Sequence, residues 1–158
     1  MNINIICIGK LKEKYWKDAI AEYSKRLGRF CNLKVIELNE AKLPKNASIA
    51  DEQKVIEIEG QEILGKISES DYVISCEIAG KQLDSEQFAR GIEAAASEHS
   101  TIDFIIGGSL GTSASVSRRA NLTFSFGHIT LPHQLARVVL LEQIYRAFKI
   151  NNNETYHK

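Results

Sequence analysis

At 158 residues, 44% hydrophobic and 25% charged, the chain has the size and composition of one soluble domain with one core. Its formal net charge is zero, which argues against general phosphate attraction, and no stretch approaches the ~20 apolar residues of a membrane span. The opening residues lack a basic leader and run into a charged segment, so a cytoplasmic, unprocessed protein with no membrane partner is expected.

In chain order, residues 3–8 form a short apolar strand closing at Gly9. Tyr15, Trp16, Ala19, Ile20, Tyr23 and Leu27 recur at helical spacing and predict a helix over residues 15–30. Residues 33–38 alternate as a second strand. A loop over 44–48 leads to a polar helix over 51–67, with Val55, Ile56, Ile63 and Leu64 as its buried edge and Gly60 and Gly65 weakening it. A third strand spans 72–78, and Ala79-Gly80-Lys81 reads as a turn. Asp84 or Ser85 then caps a helix over 86–98. After a fourth strand at 101–106 come Gly107-Gly108-Ser109-Leu110-Gly111 and a short helix over 113–120.

Leu122, Phe124 and Phe126 alternate with Thr123 and Ser125, a strand ending at Gly127. Pro132 suits the first position of a final helix, with Thr130 as its cap. Alternating β and α five times over predicts an α/β domain spanning residues 1–158, a mostly parallel sheet with helices on both faces. The loop over 127–132 lies where open α/β sheets bind ligands; the plainer reading is an ordinary β-α connection.

The final helix is apolar nearly all round. Leu141, Ile144 and Phe148 fall on one side with His133 and Arg137, and Leu135, Val138, Val139 and Tyr145 on the other. One sheet face covers only one of these, so a second copy is expected on the other, giving a homodimer. Arg137 inside such a surface must find an anion, a carbonyl or solvent.

Charge is unevenly spread. Residues 9–34 hold eight Lys or Arg against three acids and residues 118–158 six against two, whereas 35–117 hold six against fifteen. The basic ends form one positive face if the fold joins them, and solvated surface otherwise. Cys7, Cys31 and Cys76 show no metal or disulfide spacing and read as buried thiols, with a reactive nucleophile as the alternative. The histidines likewise give no metal set, and no metal is expected. The Gly107 to Gly111 run is neither a Walker loop nor a dinucleotide fingerprint; alone it reads as a tight turn or a close ligand approach.

Taken together, Ile-Gly-Gly-Ser-Leu-Gly at 106–111, Leu-Pro-His-Gln-Leu-Ala-Arg-Val-Val-Leu-Leu-Glu-Gln-Ile-Tyr-Arg-Ala-Phe at 131–148 and the terminal Tyr156-His157-Lys158 resemble the RlmH family of ribosomal RNA methyltransferases. Gly9-Lys10-Leu11-Lys12 and the positions around Tyr23 and Leu27 match as well. The resemblance implies a SPOUT-class enzyme with a C-terminal trefoil knot, acting as a homodimer. It would transfer a methyl group from S-adenosyl-L-methionine to N3 of a pseudouridine in helix 69 of 23S rRNA in the assembled 70S ribosome.

On the same basis the cofactor pocket falls on Cys76, Gly107, Phe126, Gly127, His128, Ile129, Thr130 and Leu131. The family often has leucine in place of Cys76, and arginine in place of Lys158. Catalysis would fall to His157 as base or orienting group, Tyr156 and Arg146, and RNA contact to Arg137, His133 and Lys158. The plain readings beside these are a helix cap for His133, a surface charge for Arg146 and a loose tail for 151–158. Two other functions compete: a ribosome-binding module that has kept the fold, and a nucleotide-binding oxidoreductase, which the missing G-x-G-x-x-G disfavours.

Overall fold

A computed structural model describes residues 1–156. Five strands, β1 (Asn2–Ile8), β2 (Asn32–Leu38), β3 (Tyr72–Gln82), β4 (Thr101–Ile106) and β5 (Leu122–Ser125), form one sheet in the order β2-β1-β4-β3-β5, and every pairing is parallel. Five helices alternate with them: α1 (Lys14–Leu27), α2 (Ile49–Leu64), α3 (Ser85–Glu98), α4 (Ala114–Arg119) and α5 (His133–Asn151). The expected α/β architecture is therefore present.

Strand alternation sends side chains to two cores. Ile3, Ile5, Ile74, Ile102 and Phe104 meet α1, α3 and α5 on one face. On the other, Ile6, Ile8, Val73 and Ile105 meet α2 and α4 through Ile63 and Val116. α1 and α5 pack side by side, with the Arg26 guanidinium 5.8 Å from the Tyr145 ring, so these two helices from the basic ends of the chain share a face, whereas Arg118 and Arg119 lie on α4 across the sheet.

Local chemistry sets most boundaries. Ser48 and Asp51 close a capping box on α2, Asp84 and Gln87 do the same for α3, and Ser113 caps α4. Gly60 lies inside α2 because Ser113 sits against it; a Cβ there would lie 2.2 Å from the Ser113 hydroxyl.

Three expectations are corrected. Residues 79–81 are not a turn: β3 runs to Gln82 and resumes pairing with β5 at Lys81↔Phe124 after an irregularity following Cys76. Gly80 serves close approach instead, since a Cβ there would lie 2.7–2.9 Å from the Phe124 backbone. Pro132 is the cap of α5, not its first helical residue, and no side chain caps that end, so Thr130 does not act as cap. Residues 152–156 are not loose: Asn153 takes a left-handed φ of 53°, and Glu154 N–H donates to the Lys149 carbonyl at 2.9 Å, folding the segment back onto α5.

Candidate active site

Because all strands run the same way, the loops after β3, β4 and β5 leave from one edge of the sheet. After Ile106 the chain turns tightly, Gly111 N–H donating to the Gly108 carbonyl at 3.1 Å with Gly111 at φ +89°. Gly107 lies against Gly111, where a Cβ would come within 2.6 Å of the carbonyl oxygen. After β5, the Ser125 hydroxyl sits within 2.8 Å of the Ile78 carbonyl and 3.1 Å of the Gly127 carbonyl, and accepts from Gly127 N–H at 3.0 Å. Gly127 takes φ +116°, which a side chain would strain.

Ser125 is thus a pin of the 127–132 loop. In the sequence it is only the polar half of a strand alternation; its bonds to positions 78 and 127 carry no local signal.

Between these loops lies a pocket of about 760 Å³, within the range of small-molecule sites. Cys76, Gly107, Phe126, Gly127, Ile129, Thr130 and Leu131 line it, with Ile106, His133 and Ala136. His128, also expected there, is exposed but does not line the pocket. Burial pushes the Cys76 thiol up to about 12, with the Glu77 charge adding to the effect, so it is an apolar wall rather than a nucleophile. A second cavity of about 720 Å³ shares Phe126, Gly127 and Leu131 and extends to Ser85 and Gln143.

Arg137 is the main correction among the site residues. Its side chain is fully buried. Nη1 lies 3.0 Å from Glu37 Oε1, and Nη2 donates to the Ile8 and Gly9 carbonyls at 2.7 and 2.8 Å. A guanidinium held this way presents no surface to RNA; it ties α5 to the end of β1, meeting the demand for an anionic or carbonyl partner. One turn earlier, His133 Nε2 is 3.9 Å from Glu40 Oε1. Burial and then the Arg137 charge lower its pKa against the pull of Glu40, favouring the neutral ring at pH 7.

Tyr156 and Arg146, two of the expected catalytic residues, are brought together by Glu142. Tyr156 Oη donates to Glu142 Oε2 at 3.0 Å, Arg146 Nη2 donates to Oε1 at 2.7 Å, and the Arg146 guanidinium lies 4.7 Å from the Tyr156 ring centre. Burial, followed by the Glu142 bond, raises the Tyr156 pKa, so the phenol stays protonated. Sequence reasoning missed Glu142, although its i, i+4 spacing to Arg146 was a usable signal. At 1.5 Å of rise per residue, this group lies roughly 9–15 Å along α5 from pocket-lining Ala136. His157 and Lys158 lie outside the described residues.

Comparison with known proteins decides the family. Residues 1–157 match the family model described as "Predicted SPOUT methyltransferase". The chain belongs to the SPOUT methyltransferase family. It is 56% identical to the Ribosomal RNA large subunit methyltransferase H of Lactobacillus acidophilus, over 100% of both chains. Proteins of the same name from Lactobacillus helveticus and Streptococcus pneumoniae are 54% and 55% identical, again over 100% of each chain. This SPOUT chain carries no helix among the described residues long and apolar enough to cross a membrane, and no group of three or more His, Cys, Asp or Glu there could hold a metal.

Proposed function

We propose that the protein transfers a methyl group from S-adenosyl-L-methionine to large-subunit ribosomal RNA, at N3 of a pseudouridine in helix 69 of 23S rRNA, in the cytoplasm. The observation that carries this reading is the pocket at the carboxyl edge of β3, β4 and β5. Seven of the eight residues expected to hold the cofactor line it, in a chain of this family whose relatives carry that ribosomal RNA name.

The residues present fit the cofactor. Gly107 and Gly108 leave the backbone bare where a Cβ would meet Gly111 and Glu59, while Cys76, Ile106, Phe126 and Leu131 give apolar walls and the 127–131 backbone supplies polar groups for an adenosyl moiety. When bound, the cofactor supplies an activated methyl group on a sulfonium. The protein's part is then to hold the uracil ring in line, exclude water and remove the N3 proton. His157 is assigned as base or orienting group, Tyr156 as the ring that positions the nucleobase, and Arg146 as the cation meeting charge on its carbonyls. His133 orients the loop from its turn of α5, and Lys158 meets phosphate.

A homodimer belongs to the same reading. Leu135 and Val139 remain only half-buried on α5 and are not packed against the core, and Ile129 is 79% exposed at the pocket mouth. Because Tyr156 and Arg146 sit along α5 from their own pocket, a second copy laid against this helix would bring them toward a neighbouring pocket. The trefoil knot is likewise part of this reading, in keeping with family membership and with β5 beside β3.

The test is to incubate the protein with methyl-labelled cofactor and either ribosomes lacking the mark or free 23S rRNA, then digest to nucleosides for mass spectrometry. Label on N3 of one pseudouridine supports the full reading. Label on another nucleoside keeps methyl transfer and overturns the target.

A further inference from the structure

We propose that the β1–α1 loop and the first turn of α1 form an RNA-landing surface beside the pocket, where Lys10, Lys12 and Lys17 meet phosphates and the Tyr15 ring stacks on an unpaired base. This rests on the reading of the protein as an RNA methyltransferase and adds a surface that reading does not use.

Charge is the first support. Residues 9–17 hold four lysines against a single acid, Glu13, in a chain whose total charge is zero. All four lysines are exposed. Lys14 pairs with Asp18, whereas among the described residues Lys10, Lys12 and Lys17 have no ion-pair partner. By contrast Arg26 of α1, Arg90 of α3, and Arg146 and Lys149 of α5 each face a carboxylate.

The second support is aromatic. Tyr15 is 64% exposed, and among the described residues no other Tyr, Trp or Phe ring is classed as exposed. It is also held in place: Trp16, packed against the core, meets the Tyr15 ring at 5.1 Å with a 60° tilt. A braced, exposed aromatic ring on the same short segment as unpaired lysines suits single-stranded or loop RNA, where bases stack and phosphates are neutralised.

Position is the third. β1 and β4 run parallel with Cys7 opposite Ile106, so the lysine loop and the Gly107 loop leave the same edge of the sheet. Arg137, adjacent in sequence to pocket-lining Ala136, holds the Ile8 and Gly9 carbonyls, and Lys10 is the next residue. The basic run therefore starts from an anchored point at the rim of the pocket.

The experiment measures KM for unmodified large ribosomal subunits at several salt concentrations. It uses the wild type, the combined Lys10→Ala, Lys12→Ala, Lys17→Ala protein, and Tyr15→Ala beside Tyr15→Phe. Circular dichroism and titration with S-adenosyl-L-methionine report folding and the cofactor pocket, which these exposed side chains do not line. The triple variant is expected to raise KM about tenfold or more and to lower the slope of log KM against log salt by about 2, one phosphate contact contributing roughly 0.7–0.9. Tyr15→Ala is expected to raise KM about tenfold with the slope unchanged, and Tyr15→Phe to restore it. A wild type that methylates ribosomal RNA, with variants of equal KM and salt slope, overturns the surface alone. A wild type that transfers no methyl group to ribosomal RNA overturns the proposed function and the surface with it.

Discussion

Asp103 is a buried carboxyl with one oxygen unpartnered among the described residues. Its side chain is fully buried on β4; Oδ1 accepts from Asn4 Nδ2 at 2.7 Å, and Oδ2 finds no donor among the described residues. The group facing it is another carboxylate, Asp71, so a bond between them forms only when one holds a proton. Burial, with Asp71 adding, pushes Asp103 up to about 6, against the Asn4 bond and the Arg119 charge. A carboxyl raised in the folded state favours folding while protonated. Its stabilising effect is complete below the ordinary value near 4 and is lost as pH rises through about 6. Urea unfolding should therefore show stability falling between about pH 4 and 6, by on the order of 2–3 kcal/mol from this group. Asp103→Asn, which offers Asp71 an amide donor, should flatten the profile and stabilise the protein at pH 7. An equally steep profile in the variant would sink the assignment. Arg137 gives the opposite case: Arg137→Met strands the Ile8 and Gly9 carbonyls and Glu37. Because Glu37 is 29% exposed, the expected loss is about 3 kcal/mol, the lower end for breaking a buried pair. A loss under about 1 kcal/mol in denaturant unfolding would show that water replaces the guanidinium.

At the scale of elements, two glycines separate geometry from propensity. Gly80 is required by the approach of β3 to β5. Gly80→Ala should part the two strands, loosen the 127–132 loop and weaken cofactor binding about tenfold or more in calorimetric titration. Gly91, exposed in the middle of α3, would place a Cβ in open space, and Gly91→Ala should stabilise by about 0.5–1 kcal/mol. If both changes were neutral, the close contact at Phe124 would be doing nothing. The same pair shows what a sequence displays. Strands, helices, their alternation and the two loops that frame the pocket are legible, because period and capping chemistry are local. Ala79-Gly80-Lys81 reads as a turn because glycine signals both turns and close approach, and only the neighbouring strand tells them apart. Helical spacing placed Arg137 on the buried side of α5, but its carbonyl partners lie 128 and 129 residues away. The bond of Ser125 to the Ile78 carbonyl likewise closes across 47 residues, whereas Glu142 shows its Arg146 partner by spacing within α5 and hides only the Tyr156 bond.

For the whole molecule, the parallel sheet gathers the chemistry-bearing loops at one edge and leaves the tail cluster along α5. This division makes a second copy part of the account. Sedimentation velocity at micromolar concentration should show a dimer, and Val139→Glu, which puts a charge on the half-buried outer face of α5, should shift it toward monomer. A monomeric wild type would remove the partner expected to cover that face. The central claim is that the pocket between the Gly107 turn and the 127–132 loop holds the methyl donor, and equilibrium titration with S-adenosyl-L-methionine tests it most directly. Saturable binding is expected in the wild type, with Gly107→Val, whose side chain would meet Gly111, losing most of it while remaining folded. A folded wild type that shows no saturable binding, or a Gly107→Val protein that binds as well as the wild type, would contradict the account.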